Sequence, residues 1–223
     1  MFLETPEELL KKVYVSETFF QEKENKNFLE KTDYEVLKDS VFQAVSGTKT
    51  PQGILSVVSM PKWDEENLLK TQNGFFLLLE GIQDPGNLGT MLRTAEGAGV
   101  TAVIASKTTV DLYNPKTIRS TMGSIFRVPF LSAEDFPCAI AKLKKHFVKI
   151  YAAHLEGSVS CYEPDYTGGV GFLMGNEGNG LTRETAALAD TCIKIPMEGN
   201  VESLNAGVAA AVLMYEASRQ RKG

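Results

Sequence analysis

Three segments concentrate residues able to do chemistry: Glu80-Gly81-Ile82-Gln83-Asp84-Pro85-Gly86-Asn87, Gly175-Asn176-Glu177-Gly178-Asn179-Gly180 and Pro196-Met197-Glu198-Gly199-Asn200-Val201-Glu202-Ser203. Each mixes glycine with amide, hydroxyl or carboxylate side chains. Each leads into a stretch that reads as a helix, so free backbone N–H groups can face a common ligand. One such loop is weak evidence, because Asp84-Pro85-Gly86-Asn87 also suits a β-turn with Asn87 as helix cap. Three at successive strand ends point to one composite pocket. Six residues beyond Asn87 stands Arg93, which reads either as a site cation or as half of a surface ion pair. Glu177, in a glycine-rich turn, reads equally as a solvated side chain or as the pocket's carboxylate.

Several chemistries lack their parts. The 175–180 loop does not have the G-x-G-x-x-G order, and Ile195-Pro196 stands where a ribose-binding acid would be needed, so a nicotinamide site is a poor reading. The only histidines, His146 and His154, lie outside all three segments, which disfavours a Ser/His/Asp triad or a metal centre. No Walker motif occurs. The pocket that remains holds Asn, Ser, Arg and one carboxylate, with no evident base working near neutral pH. It suits a donor that is already activated, so that positioning is the main contribution. Transfer of the methyl group of S-adenosylmethionine to an oxygen fits.

The elements that must position these residues alternate strand and helix. Phe75–Leu79 is a continuous apolar run, as a strand covered on both faces requires. Helix 88–96, strand 101–105, helix 114–122, strand 127–131, helix 133–145 with Pro137 early in it, and strand 147–152 follow. Strand Val170–Met174, helix 183–189 capped by Thr182, strand 192–195 and a long helix from Leu204 to about Arg221 complete the series. This pattern predicts an α/β fold, a parallel sheet with helices on both faces. Ligands of such sheets bind beyond the carboxyl ends of the strands. Ahead of it, residues 1–60 read as a small α/β unit. Its strands are 13–15, 34–37 and 54–58, and Ser16 and Ser40 are its helix caps. Almost nothing precedes Val13, so the unit reads as incomplete. Residues 61–74, polar and turn-rich around the single Trp63, read as a linker to a domain over 75–223.

Composition bounds the rest. The chain has 223 residues, 43% of them hydrophobic and 23% charged, as in ordinary globular proteins. No apolar run reaches the length of a membrane span, and the acidic N-terminus is unlike a signal peptide. Cys138, Cys161 and Cys192 are odd in number and well separated, which argues for a reducing, cytoplasmic compartment and against a zinc site. The net charge of −5 argues mildly against nucleic acid. Most of the excess acid lies in residues 1–73, which leaves room for a basic face through Lys107, Lys116, Arg119, Arg127 and Arg183.

Taken together, Asp84-Pro85-Gly86-Asn87-Leu88-Gly89 with Arg93-Thr94-Ala95, then Met174-Gly175-Asn176-Glu177-Gly178-Asn179-Gly180-Leu181, then Ile195-Pro196-Met197 with Ser203-Leu204-Asn205, resemble the three motifs of the SpoU/TrmH family of RNA ribose 2′-O-methyltransferases. The resemblance spans about residues 75–221, and Thr50-Pro51-Gln52-Gly53-Ile54 resembles the end of the substrate-binding domain found upstream in many members. It implies a C-terminal trefoil knot, a homodimer with each cofactor site close to the partner chain, and S-adenosylmethionine as cofactor. It implies cofactor contacts at Gly175, Ile195 and Leu204. Catalytic positions carry over to Asn87, Arg93, Ser203 and Asn205, with Glu177 in support. The implied substrate is RNA, ribosomal RNA first. Transfer RNA, or an RNA-binding protein without catalysis, are the alternatives.

Overall fold

The computed structural model describes residues 4–30, 32–155, 157 and 159–223. Residues 1–3 and 31 of the expected N-terminal unit lie outside them. The chain divides into two compact units, Met1–Lys62 and Trp63–Gly223.

In the first unit, β1 (Leu10–Ser16) leads into α1 (Glu17–Gln21) and α2 (Lys23–Leu29), then β2 (Tyr34–Leu37), α3 (Asp39–Ser46) and β3 (Ile54–Val58). The three strands form one sheet in the order β2-β1-β3, with β1 parallel to β2 and antiparallel to β3. Val13, Val15 and Leu29 are buried at its centre, with Phe19, Phe20, Tyr34 and Ile54 packed around them. Ser16 caps α1 as expected, accepting from the Phe19 N–H at 3.1 Å. Ser40 caps nothing. Helix α3 begins one residue earlier, at Asp39, whose carboxylate accepts from the N–H and hydroxyl of Thr18 at 3.1 and 2.6 Å.

The second unit begins with α4 (Glu65–Leu69), a helix inside the stretch read as linker and capped by Asp64, which accepts from the Asn67 N–H. Then come β4 (Phe75–Leu79), α5 (Pro85–Ala98), β5 (Ala102–Ser106), α6 (Pro115–Thr121), β6 (Phe130–Ala133), α7 (Phe136–Lys145), β7 (Lys149–Ala153) and β8 (Val159–Ser160). The chain continues through β9 (Val170–Met174), α8 (Arg183–Ala186), β10 (Thr191–Lys194) and α9 (Ala206–Lys222). The strands make a seven-stranded sheet in the order β6-β5-β4-β9-β7-β10-β8, parallel at every pairing.

Side-chain alternation sorts this sheet into two faces. Phe75, Leu77 and Leu79 of β4, with Phe172 and Met174 of β9, pack under α5 and α9 through Leu88, Met91, Leu92, Leu213 and Met214. Phe76 and Leu78, with Ile104, Ile150 and Leu173, face α7 through Phe136, Ile140 and Leu143. The result is a helix–sheet–helix sandwich. Its central strands β4 and β9 are buried at every position, which is why they read as unbroken apolar runs.

Several boundaries differ from the sequence reading. Strand β6 starts at Phe130 rather than Arg127, because Ser124–Phe126 forms a 3-10 turn that ends at Arg127. Helix α7 starts at Phe136, because Asp135 caps it and Pro137 occupies its first turn. The short strand β8 had no pattern long enough to announce it.

Candidate active site

Helix α5 sets the site. Asp84, not Asn87, is its N-cap, with its carboxylate accepting from the Asn87 N–H at 2.8 Å, and Pro85 opens the first turn. This frees the Asn87 side chain. Gly89, one turn on, lets α5 lie against α6. A Cβ there would stand 2.8 Å from the carbonyl carbon of Ser120 and overlap the Ser120 hydroxyl, which donates to Pro85 and Thr117 carbonyls.

The second segment folds back on itself. Asn176 and Gly180 pair as an isolated antiparallel bridge, and the Asn176 carboxamide accepts from the N–H groups of Gly178 and Asn179. The same side chain donates to the Gly81 carbonyl at 2.8 Å, tying the second segment to the first. Gly175 lies beneath this hairpin, where any Cβ would run into the backbone of Gly180 and Leu181. Glu80 braces the far side by accepting from the N–H and hydroxyl of Thr182 and the hydroxyl of Thr185.

The three segments meet through one run of side chains. Glu177 accepts from the Gln83 N–H at 3.0 Å, the Asp84 N–H at 3.1 Å and the Asn87 carboxamide at 3.0 Å. The Asn205 carboxamide donates to Asn87 Oδ1 at 3.0 Å, and Asn205 Oδ1 caps α9 by accepting from the N–H groups of Gly207 and Val208. The orientation of both amides follows from the acceptors. An ionised carboxylate can only accept, so Asn87 turns its NH2 to Glu177 and its oxygen to Asn205. Asn205 then donates to Asn87 and keeps its oxygen for the helix. Each amide retains one N–H for a ligand.

Burial by itself would raise the pKa of Glu177. The Asn87 amide and the backbone N–H groups of Gln83 and Asp84 outweigh it and hold the carboxyl below its ordinary range. The group is therefore a charged anchor with both oxygens engaged, poorly suited to take a proton.

Gln83, Asp84, Asn87, Glu177, Ser203, Leu204, Asn205 and Ala206 line an open cavity of about 470 Å³ at the carboxyl ends of β4 and β9. That volume is within the usual range for a small-molecule site. Five of the expected site residues thus come together: Asn87, Glu177, Ser203, Leu204 and Asn205. Gly175 underlies the 176–180 hairpin, and Ile195 is half-buried against the core. Neither lines the cavity. Sequence reasoning missed Asp84 as the cap, although Asp followed by Pro at a helix start is the signal for one.

Arg93 stands apart. It is exposed and, among the described residues, has no ion pair, so the surface-pair reading is not what the structure shows. Six residues along α5 it is about 9 Å from Asn87 along the axis and about 120° round it. It borders the seam where α5 meets α9, between Thr90, near Gly207, and Gly97, near the Tyr215 hydroxyl. Of the expected basic face, Lys107 and Arg127 are engaged by Glu134 and Glu96, whereas Lys116, Arg119 and Arg183 are exposed and have no ion pair among the described residues.

Comparison with known proteins yields a consistent set. Residues 74–215 match the model of the SpoU rRNA Methylase family. The 23S rRNA (guanosine(2553)-2′-O)-methyltransferase RlmP of Bacillus subtilis is 39% identical over 180 residues, 81% of this chain and 70% of the relative. Among solved structures, the SpoU methyltransferase AviRb of Streptomyces viridochromogenes superposes with a TM-score of 0.83 at 25% identity, covering 96% of this chain and 82% of that one. The AdoMet-bound rRNA methyltransferase of Sinorhizobium meliloti gives 0.78 at 30% identity, covering 94% and 80%. No helix among the described residues is long and apolar enough to cross a membrane.

Proposed function

Because the chain belongs to the SpoU rRNA Methylase family, we propose that it methylates a ribose 2′-hydroxyl of ribosomal RNA, with S-adenosylmethionine as donor. The observation that carries this reading is the run Glu177–Asn87–Asn205, which joins all three motif segments around one cavity. The substrates named for the relatives favour ribosomal over transfer RNA. A cytoplasmic location goes with that substrate and with three free cysteines.

The cavity fits the cofactor in size and lining, with Leu204 and Ala206 as its apolar wall and Ser203 at its rim. Gly175, beneath the 176–180 hairpin, and Ile195, just after β10, are assigned to the cofactor as well. When bound, S-adenosylmethionine supplies an activated methyl group. The chain's own residues do the positioning. The free N–H of Asn87 and that of Asn205 point amide donors at the ribose, and the locked amides cannot flip. Arg93 orients the adjoining phosphate and stabilises negative charge growing on the 2′-oxygen. A guanidinium stays protonated, so the hydroxyl proton leaves to a phosphate oxygen or to water.

Arg93 reaches such a site in a homodimer. Val208 and Tyr215 are 48% and 54% exposed on one stripe of α9, with Val212 between them, and Arg93 flanks this uncovered face. Pairing two copies there brings Arg93 of one protomer toward the cavity of the other. The C-terminal trefoil knot belongs to the same reading. Its support is the path of the chain, which leaves β10 near one edge of the sheet and returns to pack α9 on α5 and β9. The first unit is assigned to holding RNA.

The test is methyl transfer from labelled S-adenosylmethionine to 23S ribosomal RNA, with the products mapped as ribose 2′-O-methyl groups. A folded protein that labels no ribosomal RNA would refute the proposal.

A further inference from the structure

Phe147 breaks two rules at once. Helix α7 ends in a Schellman motif, in which the Val148 N–H reaches the Leu143 carbonyl at 3.2 Å and the Phe147 N–H reaches Lys144 at 3.1 Å. The residue after the cap must then take a left-handed backbone, and Phe147 does so, with φ 61°. Glycine is the ordinary occupant, because a side chain there is strained. The apolar contact that usually accompanies the motif is already made by Leu143 and Val148, both buried. The Phe147 ring has no packing role: it is 91% exposed, the most exposed large hydrophobic side chain among the described residues. Strain and an exposed aromatic ring are both unfavourable, and no burial of the ring among the described residues offsets them.

The sequence beside the ring is rich in lysine. Lys144, Lys145, His146 and Lys149 are exposed beside it in sequence. Lys144 is engaged by Asp190 at 2.8 Å, and Lys149 acts on the nearby Asp165. Lys145 has no ion pair among the described residues. A protein-docking hot spot sits at the centre of a wider apolar patch. An exposed ring with lysines beside it in sequence instead suits a single strand of nucleic acid, with a base on the ring and phosphates on the cations. The position is also informative. Phe147 precedes β7 at the amino ends of the strands, on the order of 20 Å from the cavity at their carboxyl ends, so it cannot serve the methyl transfer directly.

We propose that Phe147 is a stacking platform for an unpaired base of the RNA substrate, with Lys145 and Lys149 contacting its phosphates. This rests on the RNA reading above and adds a second foothold on the opposite end of the sheet. Phe147→Gly is the decisive variant, because glycine suits the backbone and the fold is kept. Its urea midpoint is expected to equal or exceed that of the unchanged protein. Binding of a 23S ribosomal RNA transcript is expected to weaken about 5- to 150-fold, the range for loss of one base–aromatic stack. KM for the RNA should rise in step while kcat and affinity for S-adenosylmethionine stay unchanged, and Phe147→Trp should retain RNA affinity. Lys145→Ala should lower the salt slope of binding by about one phosphate contact. Unchanged RNA affinity and KM in Phe147→Gly, on an RNA the unaltered protein methylates, would overturn the proposal. So would unchanged RNA affinity with weakened binding to assembled ribosomal subunits, which would assign the ring to a ribosomal protein. If the unaltered protein itself neither binds nor methylates ribosomal RNA, the broader reading fails first, and this one with it.

Discussion

Replacing Glu177 by glutamine keeps the shape of the central anchor and removes its charge. In the structure one carboxylate oxygen accepts from the Asp84 N–H and the Asn87 carboxamide, and the other from the Gln83 N–H. Glutamine has one acceptor. Turned toward Asp84 and Asn87, it keeps two bonds but as neutral ones, each weaker by about 1 kcal/mol, and it sets an NH2 against the Gln83 N–H, which loses its partner at a cost of about 1–3 kcal/mol. Glu177 is exposed, so water replaces much of what is lost, and the net destabilisation is set at about 1–2 kcal/mol. For a unit of this size that lowers the melting temperature by about 2–8 °C. The looser Asn87 should lower kcat/KM about tenfold, equivalent to about 1.4 kcal/mol. The effect also has a pH signature. The folded-state pKa of Glu177 lies below its ordinary 4.5, so its stabilisation is complete above that value and is lost as pH falls through the lowered one. The difference in unfolding free energy between unaltered protein and variant should therefore shrink as pH drops from about 5 toward 3. Urea unfolding across that range, with single-turnover methylation at neutral pH, measures both. A difference that stays flat with pH, or unaltered kcat/KM, would refute the anchoring role.

Three further outcomes follow from the geometry. Gly89→Ala forces α5 away from Ser120 and should destabilise by about 1–3 kcal/mol as overpacking, with activity lost more steeply than stability because Asn87 moves with the helix; urea melts and turnover measured on one sample compare the two. Gly175→Ala cannot coexist with the 176–180 hairpin, so calorimetric affinity for S-adenosylmethionine should fall at least tenfold while the far-ultraviolet spectrum is kept. Arg93→Ala and Asn205→Ala should each abolish methylation with Arg93→Ala still binding cofactor, and unfolding and refolding them together in equal amounts should restore about a quarter of normal activity if Arg93 acts across a two-fold dimer. No restoration would confine Arg93 to its own chain.

What was legible in the sequence follows from how local each signal is. The strands Tyr34–Leu37, Ile54–Val58, Phe75–Leu79 and Val170–Met174 are bounded by turn residues and carry β-branched or aromatic side chains, and their ends could be read directly. Two helix starts differ from the reading for different reasons: Asp84 caps α5 ahead of Asn87, and α3 begins at Asp39 after Lys38, which makes no side-chain cap bond, so Ser40 falls inside the helix. Helix α4 hid in a polar stretch because Leu68 and Leu69 alone mark its apolar face. In the site, residue types and motif order singled out Asn87, Glu177, Ser203 and Asn205, but no spacing rule could say that Asn87 bridges Glu177 and Asn205, since those bonds join distant segments. Arg93 shows the opposite limit: its motif made it prominent, yet its place on the helix turns it away from the cavity of its own chain.

The bonds that close the site join residues 90 and 118 positions apart. In an unfolded chain, closing loops of that length is entropically unfavourable, and each bond is worth too little to hold its ends together. The parallel sheet provides the proximity and the amides only register it. No fragment of the 75–205 stretch can then carry a partial site, and formation of the active centre is timed by long-range strand pairing, the slow step in folds of this kind. During refolding, activity should return in a single late phase, after helix content and without an intermediate that binds cofactor but fails to methylate.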